Sequence, residues 1–272
     1  MKTLFIGAGS MAHALMSGAL KAGVLNSEEV YVTNRANQER LNEITQEFCI
    51  RKVNRASHYD VIILAMKPKD FHEAADSVRP YLSGNTLIIS VLAGITMEHI
   101  SGRLDFKGAI ARAMPNTSAA MGKSATAVAF NQYLSPSQKE WTKTLFQSVG
   151  IAAEVKEEKL DLITALSGSG PAYIYYVAEI LKHAAVELGL EDELAESLVT
   201  QTIAGASAML SESGLEAREL RRNVTSAGGT TEAGIAALED HKVRDAFFQC
   251  ISSANNRSQT LGHELKENSL KK

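Results

Sequence analysis

The chain has 272 residues and a formal net charge of −3, and its 45% hydrophobic and 22% charged content is typical of a globular protein with one large or two ordinary domains. The weak negative charge gives no reason to expect a nucleic acid partner, and the apolar run that ends at Gly7 is too short for a membrane span. Two cysteines, Cys49 and Cys250, are too few for a disulfide framework or a metal cage, so we expect no bound metal and a reducing, cytoplasmic compartment.

Short apolar runs alternate with helical patterns along the first half of the chain. The run from residue 3 to residue 6 predicts a strand, and a helix over 10–22 follows, which Gly23 would stop. Further strands are predicted over 30–33, 61–65, 86–92, 109–113, 125–130 and 151–155, with a helix over 35–48. Strands that alternate with helices predict an α/β fold with a mostly parallel, Rossmann-type sheet.

The pattern changes after about residue 157, where helices replace strands. Helices are predicted from Pro171 to just before Gly189, over 191–210 and over 244–265. The apolar stripe of the first of these is broad for a helix packed on one side, which favours burial against a second subunit over a compact domain that hides these faces internally. We therefore expect a dinucleotide-binding Rossmann domain over 1–157 and an all-α substrate-binding and dimerisation domain over 158–272.

A glycine-rich loop follows the first predicted strand. Residues 7–12 read Gly-Ala-Gly-Ser-Met-Ala, which matches G-x-G-x-x-A at the start of a predicted βαβ unit. Gly7 would make the tight turn, Gly9 would let the backbone approach a pyrophosphate, and Ala12 would permit close packing of helix on sheet. The loop predicts a dinucleotide site, to which Ser10 and Met11 also belong.

The end of the second predicted strand indicates which dinucleotide binds. Sites that prefer NAD usually carry an acidic residue there, whereas this chain has Asn34 and Arg35. Because Arg35 can pair with a 2′-phosphate, we expect NADP(H), with NAD(H) as a possible second cofactor. The alternative for Arg35 is a solvated side chain paired with Glu39.

Two more loops fall where the carboxyl ends of parallel strands should meet a dinucleotide. Ala65, Lys67 and Pro68 end one strand, and Ala93 and Gly94 follow the next. Each is weak evidence alone, since Pro68 can simply end a strand and Lys67 can be solvated.

Asn116 lies in a loop rich in hydrogen-bonding groups after the strand predicted over 109–113. It could hold the nicotinamide amide or a substrate group. It could equally cap its own turn, which is the commoner use of Asn.

The most specific segment lies at 225–234 and reads Thr-Ser-Ala-Gly-Gly-Thr-Thr-Glu-Ala-Gly. Two glycines flanked by hydroxyls open a predicted helix, and the N–H groups of such a helix start suit an anion such as a carboxylate. The alternative is an ordinary helix cap with a turn.

The sequence shows no motif for a metal site or for a strong general base. Lys182 and His183 are adjacent and do not share a helix face. A substrate that already carries a protonatable C=N bond would need less from the protein.

Several motifs occur in a fixed order: G-A-G-S-M-A, A-M-K-P, A-G-I-T, R-A-M-P-N-T, S-G-S-G-P-A-Y and V-T-S-A-G-G-T-T-E-A-G. Together they closely resemble pyrroline-5-carboxylate reductase, the last enzyme of proline synthesis, over essentially the whole chain. The resemblance implies reduction of 1-pyrroline-5-carboxylate to proline with NAD(P)H, a Rossmann domain, and a helical domain that forms an interlocked dimer. It also implies that dimers can assemble into rings.

The resemblance also implies roles for individual residues. The cofactor would be held by Gly7, Gly9, Ser10, Met11, Ala12, Asn34, Arg35, Ala65, Lys67, Pro68, Ala93 and Gly94. The substrate would be held by Ser226, Gly228, Gly229, Thr230 and Thr231, with Asn116 near the nicotinamide. Thr231 matches the family threonine that bonds the imine nitrogen and helps to protonate it, which makes it the candidate catalytic residue.

The chain departs from the family pattern at three places. Ser10 replaces an asparagine near the phosphates, Ser118 stands where a proline is usual, and Ala227 replaces the proline of the signature. Losing the fixed φ of that proline should loosen the loop by roughly 0.4–1 kcal/mol. The alternatives are a catalytically weak or regulatory NADP-binding relative, or a 3-hydroxyacid dehydrogenase, although no lysine lies between Asp161 and Leu181 to serve the latter.

Overall fold

The computed structural model describes residues 1–35, 37–53 and 58–270, without the side chains of residues 263 and 265–270. The chain forms two compact units. The first unit comprises Met1–Pro171 and Ser252–Lys272, and the second unit comprises Ala172–Ile251. The predicted domain division after residue 157 stays a prediction.

An eight-stranded sheet forms the centre of the first unit. Its strands are β1 (Thr3–Ile6), β2 (Val30–Thr33), β3 (Arg51–Lys52), β4 (Val61–Leu64), β5 (Leu87–Ser90), β6 (Ala109–Met114), β7 (Ser124–Phe130) and β8 (Gly150–Glu154). The spatial order is β3-β2-β1-β4-β5-β6-β7-β8, and all neighbours are parallel except β6 and β7. This confirms the predicted α/β class with a mostly parallel sheet. Only β3 was not predicted, because its two exposed, charged residues carry no apolar signal.

The central strands are buried on both faces. Every residue of β1 and of β4 is buried, and the two strands pair in parallel with Thr3 opposite Val61. Successive side chains alternate between the faces, so Phe5 and Ile63 enter one hydrophobic cluster while Leu4 and Ile62 enter the other. The unbroken apolar run at 61–65 therefore reflects a strand that lies between two layers.

Six helices of the first unit each follow a strand of the sheet. They are α1 (Ser10–Lys21), α2 (Gln38–Glu47), α3 (Phe71–Val78), α4 (Met97–Leu104), α5 (Pro136–Gln147) and α6 (Leu160–Ile163). Gly23 has φ +69° just after α1, as predicted for its stop. Helix α2 was predicted to start at Arg35 but starts at Gln38. The Asn37 side chain accepts a hydrogen bond from the Arg40 N–H and caps the helix there. Ala36, inside that predicted helix, lies outside the described residues.

The remaining chain is helical. A π-helical turn, Thr164–Gly168, leads into α7 (Gly170–Glu187), which is followed by α8 (Asp192–Glu212), α9 (Ala217–Asn223), α10 (Thr230–Asp240) and α11 (Val243–Leu270). The three predicted long helices are confirmed, with ends that shift by one to five residues. None of the helices between residues 1 and 270 that the structure describes has an apolar stretch long enough to cross a membrane.

Candidate functional site

The glycine loop between β1 and α1 contains two glycines under different constraints. Gly7 has φ +113° and donates its N–H to the carbonyl oxygen of Thr33 at 2.8 Å. A Cβ at Gly7 would stand 2.6 Å from the carbonyl oxygen of Ala65, so the fold itself needs glycine there. A Cβ at Gly9 would meet no protein atom within 4 Å. Gly9 therefore leaves open space in front of the helix that follows.

That helix, α1, begins with an open N-terminus. Gly9 is its N-cap, no side chain caps it, and its first turn carries no acidic residue. The first N–H groups of α1 and its dipole therefore remain available to an anion. Ala12 is fully buried on the inner face of α1, where its small side chain fits the predicted role in helix–sheet packing.

The cavity in front of this loop measures ≈ 620 Å³, which lies within the range of about 300–1,000 Å³ that is usual for ligand sites. We call it the loop cavity. Seven of the predicted cofactor residues line it: Gly7, Gly9, Ser10, Met11, Asn34, Ala65 and Lys67. It is also lined by Ala8, Asn37, Arg40, Met66, Lys69 and Asp70. Sequence reasoning missed Arg40 and Lys69, although the Asn37 cap signal would have put Arg40 in the first turn of α2.

The other predicted cofactor residues do not line the loop cavity. Arg35 has a side chain that is 78% exposed and forms an ion pair of 2.8 Å with Glu73, not with Glu39. Pro68 opens a short 3₁₀ turn, and Ala93 packs against the hydrophobic cluster that contains Leu4. Gly94 lines a separate cavity of ≈ 490 Å³.

This second cavity contains a buried arginine. Arg112 is 2% exposed, and its Nη1 lies 3.2 Å from Oε1 of Glu157, which also accepts the N–H of Met97 at 2.8 Å. On the other side, the backbone of Gly94 approaches Gly262 so closely that a Cβ on Gly94 would stand 3.2 Å from the Gly262 nitrogen. Gly94 thus contributes to packing against α11 within the first unit.

Both polar atoms of the Asn116 side-chain amide form hydrogen bonds. Its Oδ1 accepts the N–H of Ser118 at 3.0 Å, and its Nδ2 donates to the carbonyl oxygen of Ser167 at 2.9 Å. The residue is 7% exposed, and its own N–H donates to the hydroxyl of Ser124. Asn116 therefore caps its own turn, which was the alternative interpretation of the sequence. It also forms a long-range hydrogen bond that the sequence did not indicate.

The signature segment lies in the second unit, where it opens α10. Gly228 has φ +72°, and Gly229 is the N-cap with no side-chain cap. A Cβ on Gly229 would stand 2.5 Å from Oγ of Ser226 and 3.1 Å from its carbonyl oxygen, so a larger residue would displace the Ser226 hydroxyl. The N–H of Gly228 already donates to a carboxylate oxygen of Glu232 at 2.8 Å, so this loop binds a carboxylate from its own helix.

The hydroxyls of this segment differ in what they bind. Thr225 donates its hydroxyl to the carbonyl oxygen of Arg221 at 2.7 Å. Within the described part of the chain, the exposed hydroxyls of Ser226, Thr230 and Thr231 make no hydrogen bond. They stand with the N–H groups of the first turn of α10, so the segment offers several hydrogen-bond donors to an anionic ligand.

Lys182 of the second unit is tied to two carboxylates and is not free to act as a general base. Lys182 lies 2.8 Å from carboxylate oxygens of both Asp192 and Glu196. Hydrogen bonds to Asp192 and then Glu196 raise the pKa of this ammonium, which therefore stays protonated. Among the described residues, no cluster of three or more His, Cys, Asp or Glu side chains is arranged to hold a metal ion.

Comparison with known proteins agrees with this geometry. Residues 157–261 match the family model described as pyrroline-5-carboxylate reductase dimerisation, and residues 2–94 match NADP oxidoreductase coenzyme F420-dependent. Pyrroline-5-carboxylate reductase 2 of Bacillus subtilis (strain 168) is 45% identical over 267 residues, which cover 97% of this chain and 94% of the relative.

Solved structures give the same result. The structure of a pyrroline-5-carboxylate reductase from Coxiella burnetii superimposes with a TM-score of 0.88 at 34% identity, covering 96% of this chain and 98% of that one. The Plasmodium falciparum pyrroline carboxylate reductase, crystallised with NADP bound, gives a TM-score of 0.82 at 29% identity with the same coverage. The chain belongs to the pyrroline-5-carboxylate reductase family.

Proposed function

We propose that this protein reduces 1-pyrroline-5-carboxylate to L-proline with NADPH, by hydride transfer to the carbon of the C=N bond. The observation that carries the proposal is the N-terminus of α10, where unpaired hydroxyls and N–H groups follow Gly228 and Gly229. Family membership supports the reaction, because the 45% identical relative carries the name of this reductase.

The first unit would hold the cofactor through the loop cavity. The open space at Gly9 and the uncapped start of α1 suit a pyrophosphate, and Asn34 lines the cavity at the end of β2, where the adenosine ribose is expected. When bound, the reduced nicotinamide supplies the hydride. Ala12, Pro68, Ala93, Gly94 and Arg35 would act indirectly, by shaping the strands and turns around the cavity.

The second unit would hold the substrate. We assign its carboxylate to the first N–H groups of α10 and to the hydroxyls of Ser226 and Thr230, because an anion is favoured at a helix N-terminus. Thr231 would donate its hydroxyl to the ring nitrogen and help to deliver the proton there. The Glu232 carboxylate on the Gly228 N–H would hold the loop in shape.

This arrangement needs no strongly basic side chain. A C=N bond becomes more electrophilic when its nitrogen carries a proton, so the protein has to orient the ring and stabilise a protonated nitrogen, not remove a proton from an alcohol. The raised pKa of Lys182 is consistent with this chemistry, since an ammonium tied to two carboxylates is not available as a base.

We propose a homodimer as the minimal assembly. No residue of α7 is buried, and Tyr176 and Leu188 are 63% and 89% exposed in the single chain. Exposed apolar faces of this kind indicate a surface that binds a partner. The match to a dimerisation domain supports a second copy of this chain as that partner. Assembly of dimers into a ring stays a prediction from the resemblance, and a cytoplasmic location stays a prediction from the low cysteine content. Light scattering of the purified protein tests the ring assembly.

One experiment tests the reaction directly. NADPH oxidation is followed with 1-pyrroline-5-carboxylate, beside the six-membered-ring homologue and an NADH control. We expect fast oxidation with the five-membered ring. Protein that binds NADPH but gives no turnover with either ring would support the regulatory alternative and reject the proposed reaction.

A further inference from the structure

The loop cavity carries more positive charge than the glycine loop requires. Arg40, Lys67 and Lys69 line it, against a single carboxylate from Asp70. Resting on the proposed function, we propose that Arg40 and Lys69 hold the 2′-phosphate of NADPH and thereby set the preference for NADPH over NADH. Arg35, the residue that the sequence favoured for this role, is not the main phosphate ligand.

Arg40 is positioned by the start of α2. Its backbone N–H donates to Oδ1 of Asn37 at 2.8 Å, which fixes it in the first turn of the helix. Its side chain is 35% exposed, and Nη1 forms an i,i+3 ion pair of 2.8 Å with Glu43. A guanidinium has five N–H donors in a planar fork that matches a phosphate, so one exposed ion pair leaves donors for the cavity. The dipole at the start of α2 adds to the attraction for an anion.

Lys69 approaches the cavity from the turn that follows β4. Within the described residues its ammonium forms no ion pair and no hydrogen bond, so its charge is uncompensated at short range. Among the described residues, Asp70 contributes the single carboxylate of the lining, and it does not cap α3 with its side chain. The cavity thus keeps a net positive charge, which favours a nucleotide that carries an additional phosphate.

Arg35 is in a different situation. Its guanidinium is bound to Glu73 of α3, its side chain is 78% exposed, and it is absent from the cavity lining. Arg35 would have to move to reach a phosphate in the cavity, whereas Arg40 and Lys69 already line it.

The test uses nucleotide fragments on the intact protein, with binding measured by calorimetry. The probes are 2′,5′-ADP, which carries the 2′-phosphate, and 5′-AMP, which lacks it. We expect Arg40→Gln and Lys69→Gln each to weaken 2′,5′-ADP binding by about tenfold or more while 5′-AMP binding changes by less than about twofold, because each loses a hydrogen bond to a charged group. Arg40→Lys should keep part of the preference, since it retains the charge but not the fork.

Arg35→Gln is the comparison variant, and it should weaken 2′,5′-ADP binding much less than Arg40→Gln or Lys69→Gln does. The proposal is overturned if Arg35→Gln loses 2′,5′-ADP binding while the other two variants keep it. It is also overturned if Arg40→Gln and Lys69→Gln weaken both fragments equally, or if the wild-type protein binds the two fragments with equal affinity. Because no turnover is involved, a failure of the proposed reductase activity would appear separately, in the NADPH oxidation assay.

Discussion

The side-chain nitrogen of Asn116 donates a hydrogen bond of 2.9 Å to the carbonyl oxygen of Ser167. Asn116 lies two residues beyond β6, and Ser167 lies in the π-helical turn Thr164–Gly168 that leads into α7. π turns occur often at functional sites. The hydrogen bond therefore links the loop after β6 to the turn that leads into α7.

Replacing Asn116 tests the importance of this hydrogen bond. We expect Asn116→Ala to lower the free energy of unfolding by about 1–3 kcal/mol, because two partly buried hydrogen bonds worth about 0.5–1.5 kcal/mol each are lost, and to lower kcat as well. Urea unfolding and steady-state kinetics measure the two effects.

Asn131→Ala is a control with similar bonding. Asn131 donates to the Gly108 carbonyl oxygen at 2.9 Å and accepts the Ile110 N–H, at the other end of the β6–β7 pair. It should lose comparable stability while keeping kcat. An equal fall in kcat for both variants would argue that Asn116 acts through general stability alone.

Substitutions of Gly7 and Gly9 should have different effects, one on folding and the other on cofactor binding. Gly9→Ala should fold normally, because its φ of −74° and ψ of −179° suit alanine and no protein atom lies within 4 Å of the new Cβ. It should weaken NADPH binding by at least about 1.4 kcal/mol, or tenfold, as the methyl enters the space in front of α1. Gly7→Ala should instead unfold more easily, since its Cβ would overlap Ala65. Fluorescence titration with NADPH and thermal melting distinguish these outcomes, and unimpaired binding by Gly9→Ala would contradict the assigned pyrophosphate position.

Thr231 should matter for turnover and not for cofactor affinity. Thr231→Ala is expected to lower kcat about a hundredfold, as typical for the loss of one transition-state donor, with NADPH affinity retained. Thr231→Ser should recover much of the rate because it restores the hydroxyl. Thr225→Ala is the matched control, since that hydroxyl is already used by Arg221. Full activity in Thr231→Ala would remove the proposed role.

Acid should weaken the ion pair between Asp76 and Arg103 in the first unit. Two nitrogens of Arg103 on α4 bind the two carboxylate oxygens of Asp76 on α3 at 2.9 Å each, and this contact lowers the pKa of Asp76. A lowered folded-state pKa means that the ionised carboxylate stabilises the fold above its unfolded pKa of about 3.9, and that this stability is lost as the pH falls through the lower folded value.

The melting temperature of Asp76→Asn should therefore lie below that of the wild-type protein at about pH 7, and the difference should shrink towards about pH 3. Other charges near Asp76 are those of Arg79 and His72, so the measurement is repeated in an Arg103→Gln background, where the substitution should matter less. A difference that stays constant with pH would contradict the assignment.

The sheet could be predicted because its strands carry local signals. Val61–Leu64 is apolar throughout and buried on both faces, and Gly7 has to be glycine for reasons that the adjacent strands impose. The family motifs then gave the reaction class. These features depend on neighbours in the sequence or on a fixed motif, which is why sequence reasoning reached them.

Contacts between distant residues could not be predicted in this way. Arg35 pairs with Glu73, 38 residues away, where the local pattern offered Glu39 as partner. Asn116 bonds to Ser167, 51 residues away, and Arg40 and Lys69 meet in one cavity only because α2 and the turn after β4 start at the same edge of the sheet. Such choices among several possible partners are made by tertiary packing.

The return of α11 to the first unit has a consequence for synthesis. Ser258 is 6% exposed and donates to Asp161 at 2.7 Å, and the backbone at Gly262 lies against Gly94. During synthesis the sheet and its cofactor loop would emerge first, yet this side of the first unit would be completed only after the whole second unit has been made. A premature stop after residue 251 would thus damage the nucleotide-binding half of the molecule, although the missing residues are far from it in sequence.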